Sequence, residues 1–204
     1  HFPIDNNIDY EFEKNYNIIS NYIDTLENVE ASDYNDAINI VILMDCFNND
    51  TKYKDGYYHL SGGNFNDDLI IQKNEINSGN LNDTRDFLDW AVANYPANRY
   101  IYSVFNHGGG FNDKNADGTY NRISNNSIVI EKQEGIAYDD SHNDALSHRE
   151  LEIATSYLKG LIGKNIDLFY TYACLMGGIE LAYEIRNNAD YLLSSEDVFP
   201  ADYW

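Results

Sequence analysis

The feature of this sequence that most restricts its fold is the alternation of short apolar runs with segments of helical periodicity. The apolar runs are rich in Ile, Val and aromatic residues, as buried strands are, and they cover residues 38–47, 56–61, 69–72, 99–105, 165–172 and 191–195. Helical periodicity covers residues 9–29, 84–95, 179–188 and a segment opened by a capping box of Ser147 and Glu150. This order predicts an α/β fold with a mainly parallel sheet and helices on both faces. Residues 111–135 are polar and are predicted to form a long surface loop.

The charge of the chain narrows the range of its partners. The 204 residues include 13 Lys and Arg but 34 Asp and Glu, which gives a formal net charge of −21. Such a field repels phosphate, so nucleic acid and anionic membranes are not expected as partners, whereas cations and basic peptides are attracted. No apolar run approaches the ~18 residues of a membrane span. The N-terminus lacks the features of a signal peptide, as a mature secreted protein also would.

Two predicted strands end close to side chains that can take part in catalysis. The strand over 99–105 leads to His107 and three glycines, and the strand over 165–172 leads to Cys174 and two more glycines. Ligands of open parallel sheets bind at the carboxyl ends of the strands. If the two strands are neighbours, the imidazole of His107 and the thiol of Cys174 meet at that edge.

That pair of side chains fits nucleophilic catalysis. A cysteine attacks as the thiolate, and a nearby imidazole serves as base or ion-pair partner and later protonates the leaving amine. The helix expected just after Cys174 would favour the thiolate. Glycines allow close approach of a substrate, and the N–H groups of Gly108 and Cys174 are candidates for an oxyanion hole.

Each of these residues also has an ordinary structural interpretation. A lone cysteine is usually a small buried apolar residue, and a histidine beside glycines is usually a turn residue. The joint placement of His107 and Cys174 favours catalysis. Cys46, which lies at the end of an apolar run without a glycine neighbour, is interpreted as a core residue.

Several segments between residue 80 and the end of the chain carry a resemblance to a known family. They read Leu81-Asn82-Asp83, Phe87-Leu88-Asp89-Trp90-Ala91, Asn94-Tyr95-Pro96-Ala97-Asn98-Arg99-Tyr100, Phe105-Asn106-His107-Gly108-Gly109-Gly110-Phe111, Ile136-Ala137-Tyr138-Asp139-Asp140, Ala173-Cys174-Leu175-Met176-Gly177, Ala182-Tyr183-Glu184-Ile185-Arg186 and Ser194-Ser195-Glu196. In this order they resemble the clostripain family of cysteine peptidases, in the caspase-like clan. Residues 1–80 share only the general layout.

The resemblance implies a single caspase-like domain over residues 1–204, either whole or a fragment of a longer chain. It implies that Cys174 is the nucleophile and His107 the general acid and base of a peptidase that cleaves polypeptides after Arg or Lys. It also implies a secreted, cell-surface or periplasmic bacterial protein that cuts itself in the loop between the two residues, with Arg122 and Lys132 as the candidate cut points. The second product of such a cut is then a partner.

The sequence departs from the family pattern at the specificity pocket. The family usually has Asp two residues before the nucleophile, where this chain has Tyr172, which could instead line an apolar or cation–π pocket. A carboxylate is the natural partner of a basic side chain, so cleavage after basic residues becomes an open question. The other candidates for the pocket are Ser194, Ser195, Glu196, Asp197 and Asp202.

Two acidic clusters are candidates for calcium, although the peptidase chemistry itself requires no cofactor. Asp113, Asn115 and Asp117 follow the first half of a calcium loop, with Gly118 after them, but Ser124 stands where such a loop has its bidentate Glu. The alternative for this segment is a surface turn rich in Asn and Asp. The second cluster is interpreted as a solvated loop, and its members are Asp139, Asp140, His142 and Asp144.

Three functions therefore compete. The first is a cysteine endopeptidase that uses His107 and Cys174. The second is a non-catalytic caspase-like module that binds peptide or calcium, and the third is a cysteine hydrolase of small molecules.

Overall fold

The structure is a computed structural model that describes residues 2–3, 38–46, 54–61, 65–110, 120–124, 127–131 and 135–198. The helix expected over residues 9–29 lies outside this part of the chain. The strands are β1 (Phe2–Pro3), β2 (Val41–Asp45), β3 (Gly56–His59), β4 (Leu69–Gln72), β5 (Ile101–Phe105), β6 (Gly108–Gly110), β7 (Tyr120–Ser124), β8 (Ser127–Glu131), β9 (Gly135–Asp139), β10 (Asp144–Leu146), β11 (Leu168–Tyr172) and β12 (Leu192–Leu193). The α-helices are α1 (Leu81–Asn94), α2 (His148–Ile162) and α3 (Ile179–Ile185), and a short 3-10 helix covers Phe65–Asp68.

The strands form an α/β protein whose pairing is more mixed than the sequence predicts. Parallel pairing occurs in the order β12-β11-β5 and between β1 and β2. Antiparallel pairing joins β2 to β3, β3 to β4, β9 to both β6 and β10, and β7 to β8. The prediction of a mainly parallel sheet is therefore corrected. The connection between β2 and β3 spans only residues 46–55, which is too short for the crossover that a parallel pair needs.

The described helices pack side by side. Helix α2 contacts both α1 and α3, so the three form one layer. The capping box at the start of α2 is confirmed, because the Oγ of Ser147 accepts from the N–H of Glu150 and the Glu150 carboxylate accepts from the N–H of Ser147. The helix ends at Gly163, whose φ of +71° is the left-handed cap that glycine adopts readily.

The hydrophobic core lies between this helix layer and the parallel strands. Val104 of β5, Phe169 of β11, Leu151 and Leu158 of α2, and Leu181 of α3 are buried in one cluster. On β11 the buried residues alternate with half-exposed ones, as expected of a strand with one face on the core. The core fixes β5 beside β11, and these two strands lead to the residues that the sequence singled out.

The segment between β6 and α2 contains strands that the sequence analysis did not predict. Residues 111–135 were expected to form an irregular loop, but β7 and β8 pair as a hairpin within it. The run Ile128-Val129-Ile130 has the β-branched side chains that favour strands, which gives this correction its physical reason. Strands β9 and β10 follow, and neither was expected from periodicity.

Candidate active site

The candidate site begins with the register of two neighbouring parallel strands. Strand β5 pairs with β11 over their whole length, and the last pair is Phe105 with Tyr172. The ladder continues one step further, since the N–H of Asn106 donates to the carbonyl of Tyr172 at 3.4 Å. The two strands therefore end together at one edge of the sheet.

His107 and Cys174 each lie two residues beyond this last strand pair. His107 is exposed and Cys174 is half-buried. The sequence-based expectation that their strands are neighbours is confirmed, and the register brings their backbones to equivalent positions at the same edge.

Gly108 packs directly against the segment that contains Cys174. A Cβ at Gly108 would overlap the carbonyl oxygen of Cys174 and would come within 2.8 Å of the Cγ of Met176. Gly110, with a φ of +64°, approaches Leu175 in the same way, with its Cβ position 3.1 Å from that residue's oxygen. Gly108 is therefore required by the close approach of two backbone segments, and Gly110 by that approach together with its left-handed φ.

The start of helix α3 is further from Cys174 than the sequence suggests. A turn over residues 174–177 intervenes, and α3 begins at Ile179 after the N-cap Gly178. The helix is seven residues long and has Glu180 in its first turn. Because the dipole effect falls off within the first turn, the expected support of a thiolate by this helix is corrected.

A second chain segment runs beside the residues that follow Cys174. The N–H of Gly177 donates to the carbonyl of Ser195 at 2.7 Å, and the N–H of Leu175 donates to the carbonyl of Asp197 at 3.3 Å. Glu196 and Asp197 are exposed on this segment. The backbone of this acidic segment thus runs beside the residues that follow Cys174.

The remaining pocket candidates have defined neighbours. The ring of Tyr172 lies 5.2 Å from that of Phe105 between centroids, and burial raises the pKa of its phenol. The hydroxyl of Ser194 bonds the hydroxyl of Thr171. The Oγ of Ser195 donates to the carbonyl of Asp197 at 2.9 Å, which closes a local turn. Asp202 lies outside the described residues.

The acidic residues considered for calcium are only partly placed. Asp113, Asn115 and Asp117 lie outside the described residues. In the second cluster, Asp139 is buried, and its carboxylate accepts from the N–H of His142 at 2.8 Å and contacts His142 Nδ1 at 2.9 Å.

The second cluster is therefore not uniformly solvated. Asp140 is exposed, whereas the carboxylate of Asp144 accepts from Asn77 at 3.1 Å. The prediction of a solvated loop is thus wrong for Asp139, because β9 carries its side chain into the interior.

Comparison with known proteins assigns this chain to a family. The model of the clostripain family matches residues 10–204. The chain belongs to the clostripain family. Clostripain of Hathewaya histolytica is 31% identical over 146 residues, which are 68% of this chain and 25% of that protein. The chain therefore spans about a quarter of the length of the curated relative that it matches.

Solved structures of the same kind share the fold. A secreted C11 cysteine protease from Bacteroides thetaiotaomicron, in complex with an irreversible peptide inhibitor, superposes with a TM-score of 0.60 at 18% identity, covering 97% of this chain and 47% of that one. An inactive zymogen C11 protease from Parabacteroides distasonis gives a TM-score of 0.57 at 21% identity, covering 90% of this chain and 44% of that one. The family resemblance inferred from the sequence is confirmed by the match of the clostripain family to residues 10–204 and by the similarity to clostripain.

Other side chains were not found by sequence reasoning. Asn106 is buried directly before His107 and bonds the backbone of Tyr138. The carboxylates of Asp45, Asp55 and Glu75 lie within 4.8 Å of one another. The position of Asp45 at the end of a buried strand is a sequence signal for this cluster. Asp55 and Glu75 lie in irregular segments, and no sequence pattern indicates that they come close to Asp45.

Two further expectations concern Cys46 and the processing loop. Cys46 is buried, and its N–H donates to the carboxylate of Asp55 at 2.8 Å, so its assignment to the core is confirmed. Arg122 lies in β7, opposite Val129 of β8, and Lys132 lies outside the described residues.

Within the described part of the chain, the helices are too short or too polar to cross a bilayer.

Proposed function

We propose that this chain carries the catalytic site of a cysteine endopeptidase, with Cys174 as nucleophile and His107 as general acid and base. The observation that carries the proposal is that β5 and β11 are neighbours and end at the same edge of the sheet. Each strand ends two residues before His107 or Cys174. Membership of the clostripain family supports the same assignment. No helix terminus is needed to generate the thiolate, because an adjacent imidazole can take the proton.

In the first half of the proposed reaction, the thiolate of Cys174 attacks the carbonyl carbon of the scissile peptide. Negative charge develops on the carbonyl oxygen, and the N–H groups of Gly108 and Cys174 are the proposed donors to it. The imidazolium of His107 then protonates the leaving nitrogen. The C–N bond breaks, the amine product leaves, and the acyl group remains as a thioester of Cys174.

In the second half, His107 accepts a proton from water as the water attacks the thioester. The tetrahedral intermediate collapses, the C–S bond breaks, and the carboxylic acid product leaves and releases its proton to water. The proton on His107 returns to the sulfur or is retained in the ion pair. The exposure of His107 is consistent with this step, because water must reach the imidazole.

We further propose that the substrate is a polypeptide cut after Arg or Lys. Tyr172 cannot supply a negative charge, since burial raises its pKa above the ordinary value for a phenol. Glu196 and Asp197 are the better candidates, because their segment bonds the backbone of Leu175 and Gly177. A carboxylate at this position would bind the basic side chain of a substrate through charge-assisted hydrogen bonds.

Secretion and self-cleavage are proposed from relatives. The solved protease of Bacteroides thetaiotaomicron is described as secreted, and that of Parabacteroides distasonis as a zymogen. Of the two candidate cut points, Arg122 is held in a paired ladder, whereas a peptidase binds an extended, unpaired segment. We therefore expect a cut at Arg122 to require opening of the β7–β8 pairing, and mass spectrometry of the fragment ends determines whether Arg122 or Lys132 is cut.

Calcium binding stays a proposal beside the peptidase function. The carboxylates of Asp45, Asp55 and Glu75 are oxygen ligands of the kind that calcium prefers. The chemistry assigned to His107 and Cys174 does not use a metal. Comparison of activity with added calcium and with a chelator tests whether the ion is needed.

The deciding experiment compares the wild-type chain, C174A and C46A on a peptide library, with cut sites determined by mass spectrometry. C46A is the matched control, because it removes a cysteine that is buried in the core. The proposal expects cuts after Arg and Lys for the wild type and C46A and none for C174A. Alkylation of Cys174 without any peptide cleavage indicates the small-molecule hydrolase, and absence of both indicates the binding module.

A further inference from the structure

A buried asparagine immediately precedes His107, and the proposed reaction makes no use of its side chain. Asn106 has only 1% of its surface exposed. Burial of an amide costs free energy unless its donor and its acceptor are both hydrogen-bonded. The side chain of Asn106 is therefore expected to have hydrogen-bond partners within the protein.

The amide of Asn106 binds the backbone of Tyr138 in strand β9. Its Oδ1 accepts from the N–H of Tyr138 at 3.1 Å, and its Nδ2 donates to the carbonyl of Tyr138 at 3.5 Å. This is the donor and acceptor pattern that the backbone of a paired strand would present. The side chain thus ties the end of β5 to β9.

The residue on the other side of His107 is bound to the same strand. Gly108 pairs with Ile136 of β9, two residues before Tyr138. The N–H of Asn106 also donates to the carbonyl of Tyr172, two residues before Cys174. The backbone on both sides of His107 is therefore fixed with respect to β9 and β11, while the imidazole itself stays exposed.

We propose that Asn106 is a positioning residue that directs the imidazole of His107 towards Cys174. The inference rests on the proposed function, since it requires proton transfer between those two side chains. Such a transfer needs hydrogen-bond reach, and a displacement of about 1 Å can lower a rate roughly a hundred-fold. Without the amide, the segment that carries His107 loses its attachment to Tyr138.

The test compares the full chain with the variants N106A, H107A and N188A. Asn188 is the matched control, because it is also a buried asparagine, 5% exposed. Its Nδ2 donates to the carbonyl of Glu152 at 3.2 Å and to the Oγ1 of Thr155 at 3.1 Å, both on α2. The readouts are kcat and KM on a basic peptide, and the rate of alkylation of Cys174 by iodoacetamide as a function of pH.

The proposal expects N106A to lower kcat roughly ten- to a hundred-fold with KM changed by less than about two-fold. Its alkylation profile should move towards that of H107A, because the thiolate loses its partner. N188A should lower the melting temperature but leave kcat and the alkylation profile unchanged, which separates loss of position from loss of stability.

The positioning role is overturned if folded N106A keeps the kcat and the alkylation profile of N188A. Should N106A not fold, N106D replaces it, since its carboxylate keeps the acceptor for Tyr138 but turns a second oxygen towards that residue's carbonyl. A lowered kcat at unchanged KM in N106D supports the proposal, and an unchanged kcat overturns it. If H107A behaves like the wild type, the proposed function itself fails, and that result is separate from any behaviour of N106A.

Discussion

At the scale of single residues, Gly108 makes the sharpest prediction. G108A should lower peptidase activity at least roughly a hundred-fold, because its Cβ would occupy the position of the Cys174 carbonyl oxygen and push the two segments apart. G160A is the control, since a Cβ at Gly160 of α2 meets nothing within 4 Å. That variant should keep full activity and gain stability of about 1 kcal/mol or less.

Equal activity of G108A and G160A on a fluorogenic basic peptide would contradict the packing described for Gly108. Circular dichroism of both variants shows whether the loss is local or a failure to fold.

Tyr172 makes a prediction about specificity. Y172D should raise kcat/KM for peptides with Arg before the scissile bond roughly ten-fold, because a carboxylate binds a guanidinium by charge-assisted hydrogen bonds. Y172F is the control, as it keeps the ring that packs on Phe105. A rise that appears equally for neutral peptides would assign the effect to the shape of the pocket and not to its charge.

Tyr57 makes a prediction about alkaline stability. Burial raises its pKa from 10.0 to about 12, with Asp86 and Asp83 adding to the shift. Between these values the unfolded chain loses the proton and the folded chain keeps it, so the stability present below pH 10 is lost as the pH rises through 12. Urea unfolding of Y57F should therefore show a shallower loss across this window than the wild type, and identical slopes would contradict the assignment.

The sequence indicated the candidate residues His107 and Cys174 but not the contacts of their neighbours. His107 and Cys174 were identified because glycines follow each of them at the ends of apolar runs. The contact of Asn106 with Tyr138 could not be predicted, since it depends on β9, a strand of only five residues that is bounded by Gly135 and Asp139 and has no clear period of two. The burial of Asp139 was missed for the same reason.

At the scale of elements, the capping box of α2 carries a stability prediction. S147A should lower the free energy of unfolding by about 1 kcal/mol, because the N–H of Glu150 loses its acceptor at the start of the helix. S156A is the control, as Ser156 is exposed within the same helix. Denaturant unfolding of the two variants measures the difference, and a similar loss in S156A would show that the cap contributes little.

Elements with strong periodicity were predicted and short ones were not. Helix α1 was expected over 84–95 and begins earlier, at Leu81, since Asn80 accepts from the N–H of Asn82 as its cap. Strand β6 consists of three glycines, whose strand geometry depends on pairing with β9. No pattern of apolar residues can indicate such a strand.

At the scale of the whole molecule, the net charge of −21 predicts how activity depends on salt. Basic peptides should be attracted over a range set by the Debye length, which shrinks from about 10 Å to about 3 Å as salt rises from 0.1 M to 1 M. We expect kcat/KM for a basic peptide to fall several-fold over this range, and that for a neutral peptide to stay constant. An equal response of the two peptides would show that the charge of the protein does not steer its substrate.

The parallel core was predicted more accurately than the sheet as a whole. Strands β5, β11 and β12 were expected to be parallel and are. The antiparallel pairing of β2 with β3 was not, because a buried strand such as Val41–Asp45 looks the same in either orientation. Only the length of the connection distinguishes the two cases.

The register between β5 and β11 also indicates where extra residues can be inserted into the chain. The segments that carry His107 and Cys174 are aligned by five strand pairs and not by the length of chain that joins them. A foreign domain inserted between β7 and β8 is therefore expected to leave the β5–β11 register intact, since loop-closure entropy grows only slowly with length. A reporter inserted there would leave the alignment of thiol and imidazole unchanged.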